Sequence, residues 1–485
     1  MNNLDKAIQW VKKNTIANEG IRISTKHNIS YPEVSGYFIP TLIQIGEIKL
    51  ATQYSNWLVR KQADNGSFGL GKHKVAFDTG QVMRGWNELV PFDKTLEPSL
   101  KKACVYLDSI TLSDGSMQTP KPGTIWCLPN RGEVSPCIML NILKSWRDAC
   151  NFLSFPFIDP VIKATAYYVD ACKDISFEDK TSHLHFYSYI IEGLIELDQK
   201  ELARKLCKSV LKHQRKDGSI PCFADVSWVS SVGMFQMAKN LFLLDMPTEA
   251  IAVFNYAENL QNDTGGFYGS YGLDAPYFAH HEISWAVKYY IDAYLLLIKH
   301  HFNSTVGIYS STISETDDRV RVIEKFFGDM SNKTLLDAGC GKGRYSNHLH
   351  KKYPDCRITA MDISSEMLKS VDTGIQKIEG SLLNIPFGQE TFDFVICVEA
   401  LEHAVQINAA VAELVRVLKP GGNIIIIDKN IEQLGKLKMP VWEKWFSCDA
   451  MSGLLSSKGV RTSYEFVGYN NRKANGLFVC WKGIK

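Results

Sequence analysis

The feature that most limits how this chain can fold is a change of periodicity along it. In residues 1–300, apolar side chains recur three and four positions apart, as in Ile283, Val287 and Tyr290, which is typical of amphipathic helices. Further along, short β-branched runs such as residues 423–427 alternate with helical stretches. Because strand–helix alternation builds parallel sheets, we predict a multidomain protein with an all-α part followed by an α/β part.

The length of 485 residues supports this division, since a compact domain usually has about 100–200 residues. A polar stretch without periodicity separates the two patterns and is typical of a linker. We therefore predict an all-α domain over residues 1–303, a linker over 304–319 and an α/β domain over 320–485.

Composition excludes several classes of protein. Hydrophobic residues make up 45% and charged residues 22%, as in ordinary globular proteins. The net charge of +2 leaves no overall electrostatic attraction for nucleic acid. The 12 cysteines form no CxxC pair and no zinc-spaced group with histidine, so we expect no metal. No apolar run approaches the ~20 residues of a membrane span, and the start of the chain lacks a signal segment, so we expect a cytoplasmic protein.

A glycine turn recurs in the helical part, at Gly66, Gly115, Gly218 and Gly266. The gaps are 49, 103 and 48 residues, which indicates a period near fifty with one degenerate copy close to residue 165. Such a period in a helical chain predicts about six helical hairpins joined by Asp-Gly or Gly-Gly turns.

This pattern resembles the α/α toroid superfamily, which includes prenyltransferase-like and terpene-cyclase-like proteins and many carbohydrate-active hydrolases, lyases and epimerases. The resemblance implies that inner helices begin at one mouth, where polar clusters among aromatic residues suit a sugar ring. Asp78 could equally be a helix cap. His183 and His185 are two apart and do not share a helix face, which argues against a metal pair. The candidate acceptor site comprises Tyr31, Glu33, Asp78, Arg84, His185 and Glu282.

The sharpest motif is a loop with glycine at alternate positions, preceded by an acid: Asp337, Gly339, Gly341 and Gly343. Glycines allow a ligand to approach the backbone closely. Such a loop alone could suit a dinucleotide, but the G-x-G-x-G spacing differs from that fingerprint. A carboxylate here suits a cationic amino-acid group better than a phosphate. We interpret Cys340 as a small packing residue rather than a nucleophile.

Residues 320–485 resemble the class I S-adenosylmethionine-dependent methyltransferases, through five blocks in order that end with residues 413–423. The resemblance implies a Rossmann-like sheet and S-adenosylmethionine as cofactor. The glycine loop and Asp337 would hold its methionine part, Asp362 its ribose, and Ile363 and Leu382 its adenine. The third block is residues 379–382, and its Ser381 stands where the family usually has an Asp. Glu399 and His403 lie in the fourth block, residues 392–403, which the resemblance places beside the transferable methyl group. His403 is a candidate general base, or equally a residue that caps or packs this loop, and Glu399 is a candidate cofactor or catalytic residue.

Together these observations predict a methyltransferase that methylates a hydroxyl of a sugar or glycoconjugate in polysaccharide biosynthesis, with the toroid recognising this small-molecule or glycan acceptor. One alternative is a bifunctional enzyme whose toroid is an independent lyase, epimerase or hydrolase. Another is a non-catalytic toroid scaffold with a degenerate cofactor domain. The sequence does not identify the acceptor.

Overall fold

The computed structural model of the chain describes residues 1–70, 73–118, 127–128, 130–154, 158–469 and 472–485. It divides into two compact units. The N-terminal unit contains residues 3–42 and 48–297, and the C-terminal unit contains residues 43–47 and 298–485. This division differs from the predicted boundary after residue 303. The observed division, between residues 297 and 298, falls inside a helix that continues to Ser304. The apolar periodicity of the sequence has no break at this point.

Helices dominate the N-terminal unit, and its described residues also form three two-residue antiparallel ladders, β1–β2, β3–β4 and β5–β6. The strands of these ladders are β1 (Gly69–Leu70), β2 (His73–Lys74), β3 (Cys127–Leu128), β4 (Gly132–Glu133), β5 (Val229–Ser230) and β6 (Ser270–Tyr271). The helices are α1 (Asn3–Asn14), α2 (Pro32–Gln44), α3 (Ile48–Lys61), α4 (Ala76–Leu89), α5 (Glu97–Ser109), α6 (Leu140–Phe152), α7 (Ile158–Ala171), α8 (Leu184–Glu196), α9 (Lys200–Leu211), α10 (Ser231–Leu243), α11 (Pro247–Glu258) and α12 (Ser284–Ser304).

The even-numbered helices form a closed ring of contacts. Small residues allow the close crossings, since glycine carries no Cβ. A Cβ on Gly36 of α2 would meet the backbone of α4 at 2.6 Å, and one on Gly193 of α8 would meet that of α6 at 2.5 Å. Thr41 of α2 donates a hydrogen bond of 2.6 Å to Asp292 of α12, which joins the first even-numbered helix to the last. The remaining crossings are Gly80 of α4 on Ile142 of α6, Gly233 of α10 on Leu184 of α8, and Phe235 of α10 on Tyr290 of α12.

The recurrent glycines adopt the same conformation, with φ of 89° at Gly66, 93° at Gly115, 91° at Gly218 and 93° at Gly265. A Cβ on any of them would lie within 2.1–2.4 Å of a carbonyl oxygen in another odd-numbered helix, so the turn requires glycine. The fourth copy is therefore Gly265 and not the predicted Gly266. The degenerate copy of the turn does not lie near residue 165, because that residue is inside α7. The connection from α7 to α8, where the turn would fall, begins after Ala171.

The C-terminal unit is a mixed seven-stranded sheet in the order β12-β13-β11-β10-β7-β8-β9, consistent with a Rossmann-like fold. Strands β7 to β11 run parallel, and β13 runs antiparallel to β11 and β12. The strands are β7 (Thr334–Ala338), β8 (Arg357–Asp362), β9 (Gln376–Glu379), β10 (Phe392–Val398), β11 (Leu418–Lys429), β12 (Arg461–Val467) and β13 (Phe478–Ile484). The helices are α13 (Asp318–Phe327), α14 (Arg344–Lys352), α15 (Ser365–Leu368), α16 (Ile407–Val417) and α17 (Cys448–Ser456).

Strand order fixes where this unit can bind a ligand. The chain builds β7, β8 and β9 in one direction and then returns to place β10 and β11 on the other side of β7. Ligands of open α/β sheets bind at the carboxyl ends of the strands where the order reverses, here β7 and β10. The predicted linker ends earlier than expected, because α13 already begins at Asp318.

Across the described part of the chain, no helix combines the length and apolar character needed to cross a membrane.

Candidate functional site

The glycine loop joins the end of β7 to the start of α14. Its three glycines have positive φ, 77° at Gly339, 54° at Gly341 and 76° at Gly343. A Cβ on Gly339 would lie 2.3 Å from that of Ala400, whereas the space beside Gly341 contains no atom within 4 Å. The loop is therefore packed on one side and leaves open space at its centre, where a ligand can approach the backbone.

Asp362 ends β8 and lies against this loop. Its carboxylate accepts hydrogen bonds from the backbone N–H groups of Gly341 at 2.8 Å and Ser364 at 2.9 Å. Burial raises the pKa of Asp362 above its ordinary value. A carboxylate has about four acceptor positions, so capacity remains for the hydroxyls of a ligand. Ile363, the next residue, is half-buried.

Asp337 lies within β7, one residue before the strand ends. It is 1% exposed, and the Ser346 hydroxyl donates to it at 2.6 Å. Burial raises the pKa of Asp337 to about 6, and the nearby Asp362 contributes in the same direction. The structure thus brings together the predicted glycines and both predicted acids at the carboxyl ends of β7 and β8.

Ser381 and Leu382 follow β9, next to Asp362. The N–H of Gly380 donates to the carbonyl oxygen of Asp362 at 2.9 Å, and this bond places the segment. The Ser381 hydroxyl accepts a hydrogen bond from the N–H of Leu383 at 3.2 Å, so it stabilises its own turn. Ser381 and Leu382 are both half-buried.

Glu399 follows β10 with a φ of 54° and is held by two arginines. Its carboxylate accepts from Arg319 at 2.5 Å and from Arg344 at 2.6 Å. Arg319 is 2% exposed and forms a two-pronged ion pair with Asp317, at 2.9 and 3.0 Å. A carboxylate engaged by two guanidinium groups is a structural ion-pair partner rather than an available base, which weighs against the predicted catalytic role of Glu399.

Neither arginine is among the site residues predicted from the sequence. Arg344 follows the glycine motif directly, and this adjacency was a usable signal. Arg319 lies in α13, outside every recognisable motif. Its partner Glu399 is 80 positions away, so no local pattern predicts the pair.

His403 ends a short 3-10 turn, Leu401–His403, after β10. Its ring lies 5.0 Å from that of Phe302. Burial lowers its pKa to about 3, and the positive charge of Lys429 and the neighbouring His301 act in the same direction. Such an imidazole is neutral and weakly basic at neutral pH, which argues against the predicted general base.

A group of three side chains near His403 has the composition of a metal site. Ligand atoms of Glu402, His403 and Glu443 all lie within 4.8 Å of one another. The Lys429 ammonium, however, donates to Glu402 at 2.5 Å and to Glu443 at 3.0 Å. Because this ammonium already supplies the positive charge between the two carboxylates, the group does not call for a metal ion.

The N-terminal unit contains a cavity of about 380 Å³ at the N-terminal ends of α2, α4, α8 and α12. Four predicted acceptor-site residues line it, Tyr31, Glu33, Asp78 and His185. The sequence predicts aromatic surroundings for this site but does not identify the individual side chains. The remaining described lining residues are apolar or aromatic, and they are Ile23, Val34, Tyr37, Leu128, Phe186, Tyr189, Tyr277, Phe278 and Trp285.

Two predicted acceptor-site residues are absent from the described lining of this cavity. Arg84 forms an ion pair with Glu196, with a second guanidinium contact at 2.9 Å. Glu282 accepts from Trp10 at 2.6 Å and from Asn262 at 2.9 Å. The two assignments stay predictions, but each side chain already binds a partner distant in sequence, which weighs against a place in this cavity.

Comparison with known proteins identifies part of the C-terminal unit. Residues 336–426 match a family described as "Methyltransferase domain". An uncharacterized protein of Methanocaldococcus jannaschii is 34% identical over 24% of this chain and 51% of its own length. A fatty-acid O-methyltransferase of Mycolicibacterium smegmatis is 24% identical, over 30% of this chain and 56% of its own. A phthiotriol/phenolphthiotriol dimycocerosates methyltransferase of Mycobacterium leprae is 30% identical, over 31% and 56%.

The solved structure of an S-adenosylmethionine-dependent methyltransferase from Aquifex aeolicus is similar to this chain, with 21% sequence identity and a TM-score of 0.32. The match covers 38% of this chain and 97% of the Aquifex aeolicus chain. The chain spans about half the length of the first curated relatives that it matches. The C-terminal unit contains a methyltransferase domain, and S-adenosylmethionine is the cofactor of such domains.

Proposed function

We propose that the chain transfers a methyl group from S-adenosylmethionine to an acceptor bound beside the carboxyl ends of β7 and β10. The single observation that supports this most is the contact between the open glycine loop and Asp362 in the matched domain. When bound, the cofactor supplies a methyl group already activated on a sulfonium. The residues of the chain then have only to hold and align the reactants, because an in-line displacement depends mainly on positioning.

The polar groups of the site suit different ends of this cofactor. Asp362 would accept hydrogen bonds from the ribose hydroxyls, with Ile363 and Leu382 against the adenine and Ser381 beside it. The carboxylate of Asp337 would balance a cationic amino group. Arg344 retains guanidinium N–H groups beyond its bond to Glu399 and is suited to a carboxylate.

Binding of S-adenosylhomocysteine, measured by calorimetric titration of the full chain, tests the cofactor site. We expect Asp362→Ala to weaken binding at least tenfold, because the loop N–H of Gly341 and the ligand hydroxyls both lose their acceptor. Asp355→Ala is the matched control, since Asp355 is exposed. Equal affinity of wild type and Asp362→Ala would refute the proposed site.

For the acceptor, we propose a hydroxyl of a sugar or glycoconjugate in polysaccharide biosynthesis, bound by the N-terminal unit acting as an α/α toroid. The closed ring of even-numbered helices supports the toroid. Its aromatic cavity with a few polar groups supports a sugar ligand, because rings stack on aromatic faces while polar groups orient the hydroxyls.

An apolar acceptor is a second candidate, favoured by a different observation. The segment between β11 and α17 exposes large apolar side chains, among them Leu434 at 55% and Val441 at 76%. Two of the relatives are named for a fatty acid and for phthiotriol dimycocerosates.

Radiolabelled methyl transfer to nucleotide sugars, lipid-linked glycans and free fatty acids distinguishes the two candidates. A sugar acceptor predicts that Trp285→Ala raises KM and that Leu434→Ser with Val441→Ser does not. An apolar acceptor predicts the reverse.

A further inference from the structure

The cavity of the N-terminal unit contains two carboxyl groups in an aromatic environment. Glu33 lies in the first turn of α2, and Asp78 in the first turn of α4. The Tyr31 hydroxyl donates a hydrogen bond of 2.5 Å to Asp78. Burial and the nearby Asp78 raise the pKa of Glu33 well above its ordinary value, so the two groups influence each other.

The surroundings separate the roles of these two carboxyl groups. The Tyr31 bond favours the ionised form of Asp78 and opposes the effect of burial, which raises its pKa to about 7. Burial and Asp78 also raise the pKa of Tyr31, so the phenol remains a donor at every relevant pH. No described residue donates a hydrogen bond to the Glu33 carboxyl. The Tyr31 hydrogen bond therefore favours a shared proton on Glu33 over one on Asp78. Environments that divide a carboxyl pair in this way are typical of acid–base catalysis.

His185 adds a hydrogen-bond acceptor of defined orientation. Lys239 pairs with Glu192 at 2.7 Å, and this ionised carboxylate accepts from the amide nitrogen of Gln236 at 2.8 Å. The amide oxygen of Gln236 must then face His185 Nδ1, at 2.8 Å, so that Nδ1 carries the hydrogen. Nε2 is left as an acceptor. Burial lowers the pKa of His185 to about 4, so the ring is neutral and can accept a ligand hydroxyl.

We propose that this cavity is a second catalytic centre, in which Glu33 and Asp78 hydrolyse a glycosidic bond of a neutral sugar ligand. The Glu33 carboxyl gives its proton to the glycosidic oxygen as the bond from that oxygen to the anomeric carbon breaks. A water molecule forms the new bond to the anomeric carbon and loses a proton to Asp78. The proposal rests on the proposed function only in that a sugar binds in this cavity.

The other groups that face the carboxyl pair support a neutral ligand. None of the described lining residues is a lysine or an arginine, and the Lys288 ammonium lies behind the Tyr37 ring, 5.3 Å from its centroid, so an anionic sugar would lack a direct ion-pair partner in the described lining. The titratable groups around Glu33 and Asp78 are five phenols and one neutral imidazole, and they are Tyr31, Tyr37, Tyr106, Tyr189, Tyr277 and His185.

The test uses the full chain without S-adenosylmethionine and a panel of neutral oligosaccharides, whose alcohol leaving groups require a proton. We expect release of reducing sugar, and a loss of about 100-fold or more in kcat/KM for Glu33→Gln and for Asp78→Asn, the size of general acid–base effects. Glu201→Gln is the matched control, because Glu201 is exposed on α9. Circular dichroism establishes that each variant is folded.

The pH profile provides a second readout. Tyr31→Phe removes the hydrogen bond that lowers the pKa of Asp78, so the acidic limb of kcat/KM should move to higher pH. Hydrolysis that is undiminished in Glu33→Gln, or no release from any oligosaccharide by the folded protein, would overturn the proposal. Glu33→Gln should leave the affinity for S-adenosylhomocysteine unchanged, which separates this result from a failure of the proposed methyl transfer.

Discussion

The backbone N–H of Gly341 donates a hydrogen bond of 2.8 Å to the carboxylate of Asp362, which lies 21 positions later at the end of the next strand. The N–H groups of Gly339 and Cys340 both donate to the carbonyl oxygen of Met361, at 2.8 and 2.9 Å. The glycine loop and the end of β8 therefore hold each other in place, and a change in one should be felt in the other.

Gly339→Ala and Gly341→Ala should separate stability from binding. At Gly339 the new Cβ would lie 2.3 Å from that of Ala400, so we expect a loss of about 1–3 kcal/mol from overpacking in addition to the strain of a positive φ. At Gly341 the space is open. There we expect only the strain, about 1–2 kcal/mol, together with at least tenfold weaker S-adenosylhomocysteine binding. Urea unfolding and calorimetric titration measure the two effects.

Gly453→Ala is the control for this pair. Gly453 lies in α17, where an added Cβ would meet nothing within 4 Å, and alanine should stabilise the helix by up to about 1 kcal/mol. Unchanged cofactor affinity in Gly341→Ala would show that the open space beside the loop is not the binding space.

Affinity for S-adenosylmethionine should depend on pH through Asp337. Burial raises the pKa of this carboxyl to about 6, so below about pH 6 the free protein holds a proton there. A cationic amino group favours the ionised form, and binding must then release that proton. We expect affinity to fall as pH decreases below about 6, by up to tenfold per unit. Calorimetry from pH 5 to 8 measures this slope.

Asp337→Asn should reduce this slope, whatever its effect on affinity at neutral pH. Asp362, whose pKa burial also raises, acts in the same direction and keeps a smaller slope in the variant. An equally steep dependence in wild type and Asp337→Asn would exclude Asp337 as the group that titrates.

Arg319→Met should destabilise the C-terminal unit strongly. The guanidinium is 2% exposed and pairs with Asp317, which is also 2% exposed, and with Glu399. Removing one partner of a buried ion pair costs about 3–5 kcal/mol, because a charge stays buried without its counter-charge. Guanidinium unfolding measures the loss. In the same helix, Arg321 has a side chain that is 59% exposed, and Arg321→Met should change stability by less than about 0.5 kcal/mol.

The geometry of the proposed cofactor site could be predicted from sequence because each of its parts is local. Gly339, Gly341 and Asp337 lie at the end of one buried strand and Asp362 at the end of the next, and parallel strands bring their carboxyl ends to one edge of the sheet. The positive φ values and the Asp362 contact are consequences of that arrangement.

The remaining parts of the sites depend on contacts that no local pattern encodes. The Asn303 side-chain oxygen accepts from the Ser364 hydroxyl at 2.7 Å, and the Phe302 ring lies against His403. The end of α12 thus belongs to the C-terminal unit, although its periodicity continues the helical pattern. Glu282 illustrates the same point. Its place in the sequence just before α12 suggested the cavity, but its carboxylate accepts a hydrogen bond from Trp10, 272 positions away.

Lys239→Met should destabilise the N-terminal unit in a pH-dependent way. Lys239 pairs with Glu192 at 2.7 Å and with Asp292 at 3.1 Å, and both carboxylates are at least nine-tenths buried. The positive charges of Lys239 and Lys288 lower the pKa of each carboxylate, although burial acts in the opposite direction. These pairs therefore add stability above about pH 4, the ordinary range of a carboxyl group, and lose it as pH falls.

Without the ammonium, burial should raise both carboxyl pKa values. Carboxylates that are still ionised at neutral pH then keep Lys288 and, for Glu192, Arg84 as nearby positive charges. We expect a loss of about 3–5 kcal/mol at pH 7 that shrinks below about pH 4, where protonation removes the buried charge in the variant and the ion pairs in the wild type. Urea unfolding from pH 3 to 8 measures the difference, with the exposed Lys200→Met as control. A loss that is the same at every pH would show that Lys239 acts through packing and not through its charge.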